Sequence, residues 1–168
     1  ADLQKEIESG INPQGEVADT ASPEMHRLRE GVRQAHDRLV TALGRIIRSS
    51  RSREVLQEPV FTIRSERMVL PVKAEMKGRM PGLVHDVSDT GATVFVEPYE
   101  MVELGNSWRE LLLEEQREVL RVLRRLSRAV GEQGEEIAQG VEALAELDLI
   151  LAGARLGRAI GATPPLAW

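Results

Sequence analysis

Between residues 25 and 46, apolar side chains recur at alternating steps of three and four: Met25, Leu28, Val32, Ala35, Leu39, Ala42 and Ile46. That spacing holds a stripe on one face of a helix for about six turns, and the stripe must be buried against a matching surface. Ser22 is an N-cap residue, Pro23 fits the first helical position and Glu24 suits the first-turn dipole. The spacing therefore predicts a helix over residues 22–50, weakened slightly by Gly44. Met25, Leu28, Val32, Leu39 and Ile46 form the seam, and its plainest use is packing against another long helix of the same chain. A coiled-coil-like dimer contact is the alternative.

The periodicity then changes. Residues 60–64, 68–73, 83–87 and 92–97 are short β-type runs, separated by turn-forming stretches at 65–66, 78–82 and 88–91. They predict a small antiparallel meander, with Pro71 at an edge or bulge because it cannot donate to a ladder. Helical spacing resumes at Met101, Leu104, Trp108, Leu112, Val119, Leu123, Leu126 and Val130. Gly131 and Gly134 mark a break, after which Ile137, Val141, Leu144, Leu147, Leu151 and Ala154 define a further helix. The expected fold is mainly α with a small β insertion. Residues 1–21 form an irregular lead-in containing one short amphipathic stretch (Leu3, Ile7, Ile11). Residues 22–58 and 98–161 form a helical core, 59–97 the insertion and 162–168 a linker. Aromatic residues are only 3% against 42% hydrophobic overall, so aliphatic side chains must fill the core.

Several kinds of chemistry are absent. With no cysteine there is no disulfide, thiolate zinc site or cysteine nucleophile. A phosphate-binding P-loop needs lysine directly after glycine, yet Lys5, Lys73 and Lys77 follow Gln4, Val72 and Met76. His26, His36 and His85 have no second histidine at ligand spacing, so no metal site is expected. His85-Asp86 reads as a structural pair near a turn. Asp89-Thr90-Gly91-Ala92 matches the tetrapeptide around the catalytic aspartates of pepsin-like proteases. That chemistry requires two carboxylates sharing a proton in a largely β protein, and Asp and Gly before a strand are ordinary turn residues. No run is long enough to span a membrane and no signal-peptide pattern begins the chain. The chain is read as non-catalytic, with no cofactor of its own.

The net charge of −5 argues against a uniformly basic surface, but phosphate contacts depend on local charge. Arg64, Arg67, Lys73, Lys77 and Arg79 stand in the insertion, where the stretch 64–79 sets only Glu66 and Glu75 against them, and are the candidate DNA-backbone contacts. A secondary basic face is Arg117, Arg121, Arg124, Arg125 and Arg128, for which a solvated helix surface balanced by Glu114, Glu115 and Glu118 is the simpler account.

Residues 64–75 (RSERMVLPVKAE) and 81–98 (PGLVHDVSDTGATVFVEP) resemble the signature of the bacterial MutS type-two family, and 19–24 (DTASPE) and 144–154 are similar to it as well. The resemblance implies a middle segment of a larger protein, with long lever-like helices and a clamp-like insertion. It further implies a separate ATPase domain using ATP and Mg, and usually a nuclease domain. The implied function is binding of branched DNA by a homodimer that restrains homologous recombination, in the bacterial cytoplasm at the nucleoid. Ribosomes are an alternative partner, since some members are linked to splitting collided ribosomes, and a dimerisation module is another. The linker over 162–168 would then lead toward the ATPase domain.

Overall fold

In the computed structural model, which describes residues 2–162, the helices are α1 (Asp2–Gly10), α2 (Pro23–Arg48), α3 (Ser50–Val55), α4 (Val102–Glu132) and α5 (Gly134–Ala159). Between α3 and α4 lie the strands β1 (Thr62–Arg64), β2 (Arg67–Lys73), β3 (Gly82–Val87) and β4 (Thr93–Pro98). The fold is mainly α with a small antiparallel sheet, as the two periodicities imply. The chain divides into two compact units, one of Glu8–Val122 and one of Ala1–Ile7 with Leu123–Trp168. Of the expected linker at 162–168, residues 163–168 lie outside the described residues.

The start of α2 follows its capping chemistry. Ser22 Oγ accepts from the Met25 N–H at 2.9 Å and donates to Glu118 Oε1 at 2.6 Å, which ties the cap to α4. Further along, Arg29 reaches Glu115 at 3.0 Å and the rings of His36 and Trp108 lie 5.8 Å apart. Residue numbers rise on α2 as they fall on α4, so the two helices are antiparallel. Met25, Leu28 and Leu39 are almost wholly buried, and Val32 and Ile46 partly so. The α2 seam thus packs largely within the chain, with Val32 and Ile46 partly open.

The sheet order is β1-β2-β4-β3, antiparallel throughout. The one departure from sequential order arises because residues 74–79, expected in part as a simple turn, form a 3-10 helix (Ala74–Arg79) that carries the chain past β4's position before β3 begins. Met68, Leu70, Val72, Val94 and Val96 join Leu39, Leu43, Val55, Leu56, Met80 and Met101 in one core. Pro71 sits in an inner strand, yet its carbonyl accepts from Gln57 N–H at 2.8 Å on the side that β1 has already left. Its nitrogen faces that same side, so no ladder bond to β4 is lost.

Two further expectations are corrected. Residues 1–21 are not irregular throughout, because residues 2–10 close a helical turn series before the break at Asn12 to Gly15, where Gly15 takes φ 84. On α4, Val122 is the buried residue where Leu123 was expected; Leu123 and Val130 stay exposed. In α5 no residue is buried.

Candidate nucleic-acid interface

The five basic residues of the insertion do not form one patch. Arg64 and Arg67 flank the β1–β2 turn, while Lys73 closes the other end of the seven-residue β2. At about 3.3 Å per residue the two ends are roughly 20 Å apart. Arg64 pairs with Asp86 at 3.3 Å and stacks over the Phe95 ring at 4.6 Å. Arg67 is more deeply committed, bonding Asn106 Oδ1 at 2.7 Å and Glu97 at 3.4 Å. Lys73 Nζ donates to the Glu54 carbonyl at 3.1 Å, and Arg79 pairs with the Glu54 carboxylate at 3.0 Å. Lys77 is exposed. Lys73, Lys77 and Arg79 therefore share one end of the sheet, and Arg64 and Arg67 belong to a different environment.

Arg64 is exposed on its pair with Asp86, whereas Arg67 enters a buried ionic cluster. Glu97 is 2% exposed, yet its carboxylate is gripped from two sides, by Arg67 and by His85 Nε2 at 2.7 Å. His85 reaches it because it is the extra residue of a β-bulge, where Val84 pairs with Val96 and Asp86 with Phe95. A bulge re-aims its side chain, and here it separates His85 from Asp86, which turns to Arg64 instead. The expected His85-Asp86 pair is accordingly replaced by two cross-strand pairs. Gly105 of α4 lies over the cluster: a Cβ there would stand 2.8 Å from Glu97 Oε1 and 3.1 Å from Arg67. A buried charge needs partners, and this one keys β2, β3 and β4 to the start of α4.

The sheet end bearing Arg79 opens on a groove of about 500 Å³ between the end of α2, the start of α3 and the Pro98–Glu100 corner. Arg45, Arg51 and Arg79 line it, with Tyr99 at its rim. Neither Arg45 nor Arg51 has an ion-pair partner among the described residues, and Tyr99 is 61% exposed. None of these three was singled out from the sequence. A signal existed in the arginine-rich run at 45–53 (RIIRSSRSR), which the apolar stripe of α2 overshadowed.

Of the secondary basic face, Arg121 is held by Glu118 at 2.5 Å and Arg125 by Glu6 at 3.3 Å. Arg117, Arg124 and Arg128 are exposed on α4. The Asp89-Thr90-Gly91 tetrapeptide start is the β3–β4 turn, closed by Gly91 N–H to Ser88 O at 2.8 Å with Gly91 at φ 72. Among the described residues there is no group of three metal-ligating side chains, and no helix is long and apolar enough to cross a membrane.

Geometry thus defines a sheet keyed to the start of α4, with a cation-lined end. The chain is 44% identical over 163 residues to "Endonuclease MutS2" of Thermomicrobium roseum, covering 97% of this chain and 20% of that protein. Its identity to the proteins of the same name from Pelotomaculum thermopropionicum and Halalkalibacterium halodurans is 44% and 43%, each over 165 residues, 98% of this chain and 21% of theirs. No family model matches the chain. The chain matches a segment of MutS2 proteins over nearly its whole length, and it spans about a fifth of the length of these relatives.

Proposed function

We propose that this segment is a non-catalytic arm of a MutS2-type DNA-handling ATPase and endonuclease, and that it touches the phosphate backbone of branched or duplex DNA. The observation that carries this is the gathering of Lys73, Lys77 and Arg79 at one end of a sheet anchored to long helices. Cations on a rigid support position a duplex without reading its sequence. ATP and Mg would act in a different part of the parent protein, where hydrolysis would move the lever-like helices; the parent would restrain recombination as a homodimer. Its dimer contact would use a surface other than the α2 seam.

Binding across a salt series tests the backbone contact. Lys73→Glu with Lys77→Glu and Arg79→Glu should weaken DNA binding and flatten the dependence of log K on log salt, since fewer counterions are released. Arg64→Glu should do much less, because its guanidinium already has a carboxylate and a ring. An unchanged salt slope in the triple variant would remove the contact. Measuring ribosomes and branched DNA side by side decides between partners: ribosome binding alone, lost in the same variant, would transfer the contact to ribosomal RNA.

A further inference from the structure

We propose that the groove at the α2–α3 junction is a binding site for an unpaired phosphodiester strand, with phosphates on Arg45, Arg51 and Arg79 and one base stacked on Tyr99. All the lining residues lie within Glu8–Val122. The site shares Arg79 with the backbone contact proposed above and rests on that reading there, but Arg45, Arg51 and Tyr99 are new to it.

Three features point to a strand with a free base. First, the cations converge from separate elements, Arg45 on α2, Arg51 on α3 and Arg79 on the 3-10 helix, so the fold and not a sequence run brings them together. Guanidinium groups favour phosphate through paired N–H donors. Among the described residues the one carboxylate lining the groove is Glu100, and the Glu54 paired with Arg79 is 64% exposed, so a phosphate replaces that solvent-screened partner at little cost. Second, Tyr99 is a large aromatic left mostly in solvent at the rim, in a chain with few aromatic residues. Third, its backbone is anchored: the Tyr99 N–H donates to Pro81 O at 3.3 Å, in a 3-10 turn between β4 and α4. A cationic groove with a stacking platform is how proteins hold single strands, because every base has a π-face. A duplex hides its base faces and gains nothing from the tyrosine. DNA and RNA offer the same chemistry here.

Fluorescence anisotropy on the 168-residue chain tests this, with labelled oligo-dT, oligo-rU and a DNA duplex of equal length. Tyr99→Ala should weaken both single strands about tenfold, in line with the stacking contribution of one base, and leave duplex binding unchanged. Tyr99→Phe should restore single-strand binding, since it keeps the ring. Arg45→Gln with Arg51→Gln should weaken single-strand binding and lower its salt slope by about 1.4. These positions are exposed, and thermal melting confirms that each variant folds. A preference for rU over dT would name RNA as the source, and the reverse DNA; either upholds the groove. If Lys73→Gln with Lys77→Gln weakens duplex binding while the groove variants change nothing, the backbone contact stands and the groove proposal falls. Equal loss of duplex and single strands in Tyr99→Ala would also overturn it. If no oligonucleotide binds, both fall.

Discussion

Glu97 shows how much rests on single side chains here. Its carboxylate has neighbours on three elements and no water-facing surface to retreat to. Gly105→Ala would push a methyl to 2.8 Å from that carboxylate, which cannot move away without losing His85 or Arg67. We expect a loss of about 1–3 kcal/mol in urea unfolding, typical of overpacking; a neutral result would mean that the cluster yields. Asp19 sets a pH dependence. The hydrogen bond from Arg29 holds its carboxyl below the usual aspartate range, against a smaller opposing effect of burial. A depressed folded-state value adds stability above the unfolded pKa, and that stability is lost as pH falls through the folded value. Asp19→Asn should therefore shrink the drop in Tm between about pH 5 and pH 2, modestly, because the side chain is 44% exposed and screened. Parallel Tm–pH curves for the two proteins would refute the assignment.

Among the elements, the β1–β2 hairpin carries stored strain. Its two turn residues, Ser65 and Glu66, both adopt positive φ, 49 and 60, a conformation that favours asparagine and glycine. Ser65→Asn with Glu66→Gly should raise stability by about 1 kcal/mol, read as a higher denaturation midpoint. The lost pair between Glu66 and Arg109 is exposed and offsets little of that gain. A lower midpoint would show the turn to be held from elsewhere. This turn, all four strands and the α2 cap were legible in the sequence, because each is specified by residues adjacent in the chain. Lateral strand order was not, since a 3-10 turn at 74–79 has no apolar period to betray it. The buried glutamate escaped for a related reason: nothing within VFVEP signals that Arg67, His85 and Gly105, each distant in sequence, close over Glu97. The groove arginines were equally hidden, because Arg45 and Arg51 meet Arg79 only after folding.

At the scale of the whole molecule, stability is distributed unevenly. The α5 helix exposes Ile137, Val141, Leu144, Leu147, Leu149, Ile150 and Leu151 and buries nothing, whereas β2 has five buried residues in succession. A helix without tertiary cover is marginal in water. Hydrogen exchange should therefore run orders of magnitude faster in the amides of α5 than in those of β2, and matched protection would contradict the burial pattern. The bulge at His85 has a consequence of another kind. As an outer strand with Leu83, Val84 and Val87 exposed, β3 offers its open side as a template on which the same strand from other copies could stack. The extra residue breaks the even spacing that such stacking requires. The irregularity that delivers a histidine to a buried carboxylate thereby also caps the sheet against runaway polymerisation into fibres.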